Sequence, residues 1–246
     1  MNKQYAASCR RFTHCFMPAL LGLSLAWTSA GARAAGHPDE LAAQCPGAGA
    51  WFSAHPQDNY PALVKRDAAR TFSAPQLRSE LAERFERDQA ARKAMLAAPH
   101  NLRVAGRVAE VDRDNVMWLW KRVRTLGFPD VEQVGEIGVH HAWLLAQHAD
   151  KQPQFQAELL PVLEQRHADG QLDGMTLSRF VDRVLVAQHQ PQRYGTQFST
   201  QAWATAHFGL PDEQSAREVD LNRQTLGIMP LADYVCMMRL ARLKTS

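Results

Sequence analysis

Several polar residues of this chain stand where a helix would otherwise present an apolar face. His148 closes a stretch that is apolar on almost every side, and the Asp182-Arg183 pair borders the apolar face of another stretch. Burying such groups without partners is costly, so they must pair with one another or line a hydrated cavity. The same interruption of an apolar face recurs at Asp88, Arg92, Asp112, Asn115, His141, Asp220 and Arg223.

These residues also have a purely structural interpretation. Asp88 and Arg92 are four residues apart and can form an ion pair within one helix, which contributes only a few tenths of a kcal/mol. Asp182 and Arg183 can link neighbouring helices, and His148 can be a core histidine whose hydrogen bonds are satisfied. Each residue taken singly therefore leaves a structural and a functional role open.

His148 is the best candidate for a catalytic group if the chain is an enzyme. Its unperturbed pKa lies near neutrality, which suits a general acid or base. The supporting groups would be an orienting carboxylate, a guanidinium for an anionic group and two hydrogen-bonding side chains: Asp150 or Asp182, Arg183, and Tyr194 with Gln197.

Metal and cofactor chemistry is not expected from the spacing of the residues. His140, His141, His148 and Asp150 cluster, but the two histidine steps of seven and eight residues separate their Cα atoms by about 10.5 Å on a straight helix. Two-histidine zinc sites on a helix use a step of four. The chain also lacks a Gly-x-Ser-x-Gly motif and a phosphate-binding glycine loop. We predict no metal and no cofactor.

Residues 1–34 have the features of a cleaved bacterial export signal. Lys3, Arg10 and Arg11 precede an apolar run from Phe16 to Trp27, and small residues end the segment. The run of about 12 residues is too short for a membrane anchor, which needs about 20. No later apolar run is long enough to span a membrane. We therefore predict a periplasmic or secreted protein, with cleavage after Ala34.

Removal of the signal changes the charge of the chain. The whole sequence has 28 basic and 25 acidic residues, and four of the basic residues lie in the signal, which leaves 24 against 25. The mature chain of about 212 residues is thus close to neutral, and its size suits one domain. Because a nucleic-acid-binding protein normally carries a basic excess, we expect no nucleic-acid partner.

Helical periodicity dominates the chain after an irregular N-terminal arm, residues 35–74, which is rich in proline and glycine. Residues 75–246 are expected to form a single, mainly α domain of six or seven helices. The predicted helices run approximately over Pro75–Met95, Val104–Leu126, Val131–Ala149, Gln154–His167, Thr176–Gln188, Glu213–Leu226 and Leu231–Leu243. Near-alternation of large and polar residues predicts one small β-hairpin between Tyr194 and Leu210.

Two of the four cysteines remain after cleavage, Cys45 in the arm and Cys236 in the last helix. An even pair in an oxidising compartment is usually bridged, so we predict a disulfide between them. Closing a loop of about 190 residues would contribute at most about 5 kcal/mol. The alternative is a pair of buried free thiols.

Two sequence blocks carry a resemblance to a known family. Trp143-Leu144-Leu145-Ala146-Gln147-His148-Ala149-Asp150 and Tyr194-Gly195-Thr196-Gln197 occur in order, followed by Val219-Asp220 with Arg223. Over residues 77–235 the chain resembles a bacterial domain family of unknown function, with Phe128 where tryptophan is expected. The resemblance implies no settled activity, but it selects eight residues as ligand-binding candidates: His148, Asp150, Asp182, Arg183, Tyr194, Gln197, Asp220 and Arg223.

The sequence thus indicates a protein that binds a small polar ligand or an envelope-protein partner in a polar cleft. The cleft would lie among the second, third and fifth predicted helices and the loop at Tyr194. One alternative is a hydrolase-like periplasmic enzyme that uses His148 as general acid or base. The other is a structural envelope protein whose buried polar network only fixes helix packing. Polar groups facing a water-filled pocket would favour binding, and a dry, paired network would favour the structural role.

Overall fold

Helices account for the regular structure of residues 38–198 and 213–243, the part of the chain that the computed structural model describes. A single turn of 3-10 helix, Pro56–Asp58, follows the second helix. The helices are α1 Pro38–Gln44, α2 Pro46–Ala54, α3 Tyr60–Asp67, α4 Pro75–Ala97, α5 Leu102–Leu126, α6 Val131–Gln147, α7 Pro153–Ala168, α8 Gly174–Ala187, α9 Glu213–Thr225 and α10 Leu231–Leu243.

Helix α6 lies in the main core because most of its residues are apolar. It packs against α3, α4 and α5, and Trp143, Leu144 and Leu145 on it are almost completely buried. Asp130 and Gln133 form a capping box that starts the helix. A helix that is apolar on nearly all sides is expected to be central.

Gly135 divides α6 into a short first turn and a long main part. Its φ of 74° is in the left-handed region, and a Cβ there would collide with the Asp67 carboxylate. That carboxylate accepts hydrogen bonds from the amides of Glu136 and Ile137 at 2.9 and 3.0 Å. Arg78 of α4 donates to the same carboxylate at 2.8 Å. Asp67 therefore caps the main part of α6 and ties α3 to α4 and α6.

The N-terminal segment was expected to be irregular over residues 35–74, but from Pro38 onward it contains α1, α2 and α3. Prolines stand in the first turns of all three helices, where their missing amide costs nothing. Leu41 and Ala48 of this segment pack with Met229 and Tyr234 in a second apolar cluster. The prolines of this segment therefore indicate where helices begin, and not an irregular chain.

The predicted cysteine pair is found at disulfide geometry. The sulfur atoms of Cys45 and Cys236 are 1.99 Å apart, and their Cα atoms are separated by 5.8 Å, within the range for a bridge. The bridge joins the residue before α2 to the middle of α10, 191 residues later.

The mainly α prediction is confirmed, with two corrections. All seven predicted helices are present with bounds close to those expected, and the three short helices raise the number above six or seven in the described residues. The β-hairpin is not supported. Residues 194–198 form no strand, because the amides of Tyr194 and Thr196 bond to Asp182 and not to a neighbouring strand. The rest of the predicted hairpin lies outside the described residues, as does the predicted export signal.

Across the described ranges 38–198 and 213–243, none of the helices combines the length and apolar character that crossing a bilayer requires.

Candidate functional site

Four charged or ionisable side chains from three helices meet in a group that we call the polar centre: Asp88, Arg92, Asp112 and His148. Asp88 Oδ1 lies 2.9 Å from Nδ1 of His148, at the C-terminal end of α6. Arg92 Nη2 donates to Asp112 Oδ1 of α5 at 2.6 Å. Arg92 Nε lies 2.9 Å from His148 Nδ1 and 3.3 Å from Asp88 Oδ2. One guanidinium therefore contacts the other three members.

The polar centre runs from the core towards the surface. The Asp88 and His148 side chains are 1% and 3% exposed, whereas those of Arg92 and Asp112 are 18% and 22% exposed. A buried pair thus supports a partly hydrated pair. This arrangement gives solvent or a ligand access to Arg92 and Asp112 while Asp88 and His148 stay fixed.

His148 is neutral and Asp88 is ionised at neutral pH. Burial lowers the pKa of His148, with Arg92 and Arg183 adding to the effect and Asp88 opposing it. Burial by itself would raise the pKa of Asp88, but its contacts with His148 and Arg92 more than offset this and lower it. Nδ1 of His148 lies 2.9 Å from both Asp88 Oδ1 and Arg92 Nε, and the Nε–H group of Arg92 also donates to Asp88 Oδ2 at 3.3 Å.

Asp112 titrates near neutrality. Burial raises its pKa to about 7 against the attraction of Arg92, and repulsion by Asp88 and Asp150 adds to the rise. Among the described residues the Asp112 carboxylate accepts a hydrogen bond from Arg92, whereas Asp88 is contacted by His148, Arg92 and Gln89, so the burial of Asp112 is less fully compensated. Carboxyl groups with such a pKa can gain or lose a proton at physiological pH and are typical of functional sites.

The same residues offer three metal-ligand atoms, one each from Asp88, Asp112 and His148, all within 4.8 Å of one another. Two carboxylate oxygens and one imidazole nitrogen suit manganese, iron or zinc. Arg92, however, places its guanidinium against all three residues and supplies a positive charge there. A metal ion could bind only if Arg92 moved away, so a resident metal does not fit beside the positive charge that these ligand atoms already contact.

Arg183 and Asp150 form a second ion pair next to the polar centre. Arg183 on α8 is 7% exposed and donates to the Asp150 carboxylate, which lies just after α6. Both residues act electrostatically on Asp112. Three of the residues selected from the sequence, His148, Asp150 and Arg183, are thus brought together.

Four of the other selected residues form hydrogen bonds that involve backbone atoms, and we call this group the loop anchor: Asp182, Tyr194, Gln197 and Arg223. Asp182 is completely buried and accepts hydrogen bonds from three amides, those of residues 193, 194 and 196, at 2.7–2.9 Å. Arg223, also fully buried, donates to the carbonyl oxygens of Tyr194 and Met229 at 2.6 and 2.5 Å. Gln197 donates to the Arg179 carbonyl oxygen at 3.1 Å.

Asp220 lies beside the loop anchor and accepts a hydrogen bond from the amide of Leu231, the first residue of α10, at 2.7 Å. The eight selected residues therefore divide into two groups with different partners. His148, Asp150 and Arg183 contact other side chains at or beside the polar centre, whereas the other five contact mostly backbone atoms.

Asp88, Arg92 and Asp112 were recognised in the sequence as polar residues on apolar faces but were not selected as site residues. The four-residue step from Asp88 to Arg92 suggested a local ion pair, and that pair exists at 3.3 Å. Its further partners come from 20 and 56 residues away, which no local spacing reveals. The alignment of Asp88 and Arg92 with Leu81 and Phe85 on α4 was the available signal.

A model described as a family of unknown function (DUF6624) matches residues 75–244, more than half of the chain. No curated protein matches the chain. No solved structure matches it either.

Proposed function

The chain belongs to this family of unknown function, DUF6624, and we propose that it is an exported protein that binds a small, oxygen-rich polar molecule at the polar centre. The observation that carries the proposal is the partly exposed Arg92–Asp112 pair, held in place by the buried Asp88–His148 pair. Positioned polar groups on rigid helices with a fixed supporting layer are what a binding site requires.

The hydrogen-bonding capacity left over at this place favours oxygen acceptors as ligand groups. Arg92 uses Nε and Nη2, and Nη1 has no hydrogen-bond partner among the described residues. Arg183, which pairs with Asp150 beside the polar centre, has an Nε atom that is buried without a hydrogen-bond partner. Protonated Asp112 can donate one further hydrogen bond. A carboxylate or a hydroxyl-bearing molecule would satisfy these donors.

Export is supported by two independent features. The first 34 residues have the composition of a signal peptide, and Cys45 and Cys236 lie at disulfide geometry. Disulfides persist in oxidising compartments and are rare in the cytosol of mesophiles.

A thermal-shift experiment on the oxidised protein tests the binding proposal. Succinate, glucose, glycine betaine and putrescine serve as probes because they differ in charge and in oxygen acceptors. A probe at a hundredfold excess over its Kd stabilises the protein by about 2.7 kcal/mol, or several degrees. We expect succinate or glucose to raise Tm, and putrescine to have no effect.

Two variants and one control locate the bound probe. Asp112→Asn and Arg92→Lys should abolish the rise in Tm. The control Asp114→Asn should retain it, because exposed Asp114 lies on the same helix as Asp112 but pairs with Arg84. Stabilisation that survives both polar-centre variants would place the ligand elsewhere and would contradict the proposal. Absence of any shift up to millimolar probe would support the structural role.

A second candidate function is acid–base catalysis at the same place. The observation that favours it is that burial shifts the pKa values of two neighbouring groups in opposite directions. The pKa of His148 is lowered, while that of Asp112 is raised to about 7. Groups whose environments drive their pKa values apart are typical acid–base pairs. Conversion of a bound probe to a product by the parent protein, detected by mass spectrometry, would show catalysis, whereas recovery of the unchanged probe would show binding alone.

A further inference from the structure

A cavity of about 230 Å³ lies between the N-terminal segment and the helical core, away from the polar centre. Its walls come from α2, α3, α6, α8, α10 and the loop before α10, and none of its lining residues belongs to the polar centre or the loop anchor. A cavity of about 150 Å³ lined by apolar side chains holds benzene. The space here is therefore sufficient for a substituted aromatic ring.

Aromatic and sulfur-containing side chains form part of the cavity wall. Trp51 and Phe52 of α2 stand on one side, in edge contact with each other at 5.3 Å, and Met237 of α10 stands on another. Rings and thioether groups pack well against a flat aromatic molecule. The disulfide fixes these two walls relative to each other, since Cys45 precedes α2 and Cys236 adjoins Met237.

His140 provides a polar group at this cavity. It lines the cavity, and its Nε2 atom is buried without a hydrogen-bond partner. Burial lowers the pKa of His140 to about 4, so that the ring is neutral at physiological pH.

Arg179 provides a positive charge at the same cavity. Its guanidinium stands 5.9 Å from the centre of the Tyr234 ring, and no carboxylate of the described residues forms an ion pair with it. The Asp173 carboxylate also lines the cavity, where it accepts hydrogen bonds from the amide and hydroxyl of Thr176 at the start of α8 and forms no ion pair with Arg179. An anionic group entering the cavity would therefore meet a cation whose charge is not neutralised by an ion pair.

We propose that this cavity binds a small aromatic carboxylate, with its ring between Trp51, Phe52 and Met237 and its carboxylate directed to Arg179. The site is distinct from the polar centre, and the proposal does not depend on the ligand proposed there. Arg179 would donate to the carboxylate and balance its charge.

The test measures binding of 2-naphthoate and of its uncharged counterpart 2-naphthamide to the oxidised protein by calorimetry. Tryptophan fluorescence provides a second readout because Trp51 lines the cavity. We expect naphthoate to bind about tenfold more tightly than naphthamide, which corresponds to the contribution of one charge-assisted contact. Equal affinities, or no binding of either probe at millimolar concentration, would overturn the proposal.

Three variants show where the probe binds. Arg179→Gln should remove the preference for naphthoate while naphthamide still binds, which shows that the variant is folded. Leu63→Trp introduces a large ring at the cavity wall and should abolish binding of both probes. Arg87→Gln makes the same charge change at an exposed position outside the cavity and should bind like the parent protein. Unchanged binding by Leu63→Trp would place the probes elsewhere and refute the assignment.

Discussion

Asp88 in the polar centre and Asp182 in the loop anchor are both buried carboxylates on core helices, but they differ in their partners. Asp88 is paired with side chains, those of His148, Arg92 and Gln89. Asp182 is paired mainly with backbone amides. Side-chain partners can be exchanged by mutation together with the carboxylate, whereas amides remain whatever the sequence. The second arrangement is therefore tied to folding, and the first is available for function.

The largest effect is expected from removing the Asp182 carboxylate. Asp182→Leu would leave the amides of Arg193, Tyr194 and Thr196 buried without acceptors, at a cost of at least about 3 kcal/mol. Urea denaturation should show this as a lower midpoint. An unchanged midpoint would mean that the loop finds other acceptors and that the two carboxylates do not differ as described.

The next effect is a dependence of the free energy of unfolding on pH, which we expect from Asp112. Its pKa is raised to about 7 in the folded protein, so between about pH 4 and pH 7 the folded state binds more protons than the unfolded state. Its contribution to stability therefore falls as pH rises through this window and is constant above it. Each pKa unit is equivalent to about 1.4 kcal/mol.

Asp112→Asn isolates this contribution. Burial lowers the pKa of His148, which acts in the opposite direction over part of the same window, but its contribution is common to both proteins. The parent minus variant difference in unfolding free energy should decline from pH 4 towards pH 7. A difference that rises with pH would show that Arg92 dominates and that Asp112 is ionised throughout.

A smaller loss of about 1 kcal/mol is expected from Asp220→Ala, which removes the acceptor for the first amide of α10. The effect should appear in Tm alone, with probe binding at the polar centre unchanged. Asp220→Asn, which keeps an acceptor oxygen, should recover most of the stability. Loss of probe binding in Asp220→Ala would instead show that this residue contributes to binding at the polar centre, as its selection from the sequence blocks predicted.

The smallest change in stability is expected where the most charges are removed. In Asp88→Leu/Arg92→Met/Asp112→Leu/His148→Leu all four members of the polar centre are replaced together, so that the His148 ring is not left buried without Asp88 and Arg92, and such exchanges are often neutral or stabilising. We expect an unfolding free energy within about 1 kcal/mol of the parent and complete loss of probe binding. A loss as large as that of Asp182→Leu would identify the polar centre as a folding element.

The helices could be predicted from the sequence because their signals are local. Asn101 and Asp130 cap α5 and α6, Pro75 begins α4, and apolar residues recur at the helical period. The cysteine pair could be predicted because the mature chain would keep two cysteines and would reach an oxidising compartment. The hairpin prediction failed because the alternation at Thr196 and Phe198 is produced by a loop whose amides are bound by a side chain.

The polar centre could be predicted only in part. His148 was selected, but the partners that define its environment lie on α4 and α5, which the sequence places 56 and 36 residues earlier. Which of several buried polar residues meet depends on how helices pack, and their periodicity does not determine this. The same limit explains why Asp182 and Arg183, adjacent in the chain, serve different groups.

The Cys45–Cys236 bridge has a consequence for the biosynthesis of an exported chain. In a chain exported as proposed, translocation would deliver Cys45 first, and no other cysteine follows it until Cys236, 191 residues later. The bridge could then close only after residues 46–235 had crossed, and a mature chain that keeps these two cysteines would have one possible intramolecular pairing. Oxidation would thus be a late step that fixes α2 against α10 after the intervening helices have emerged.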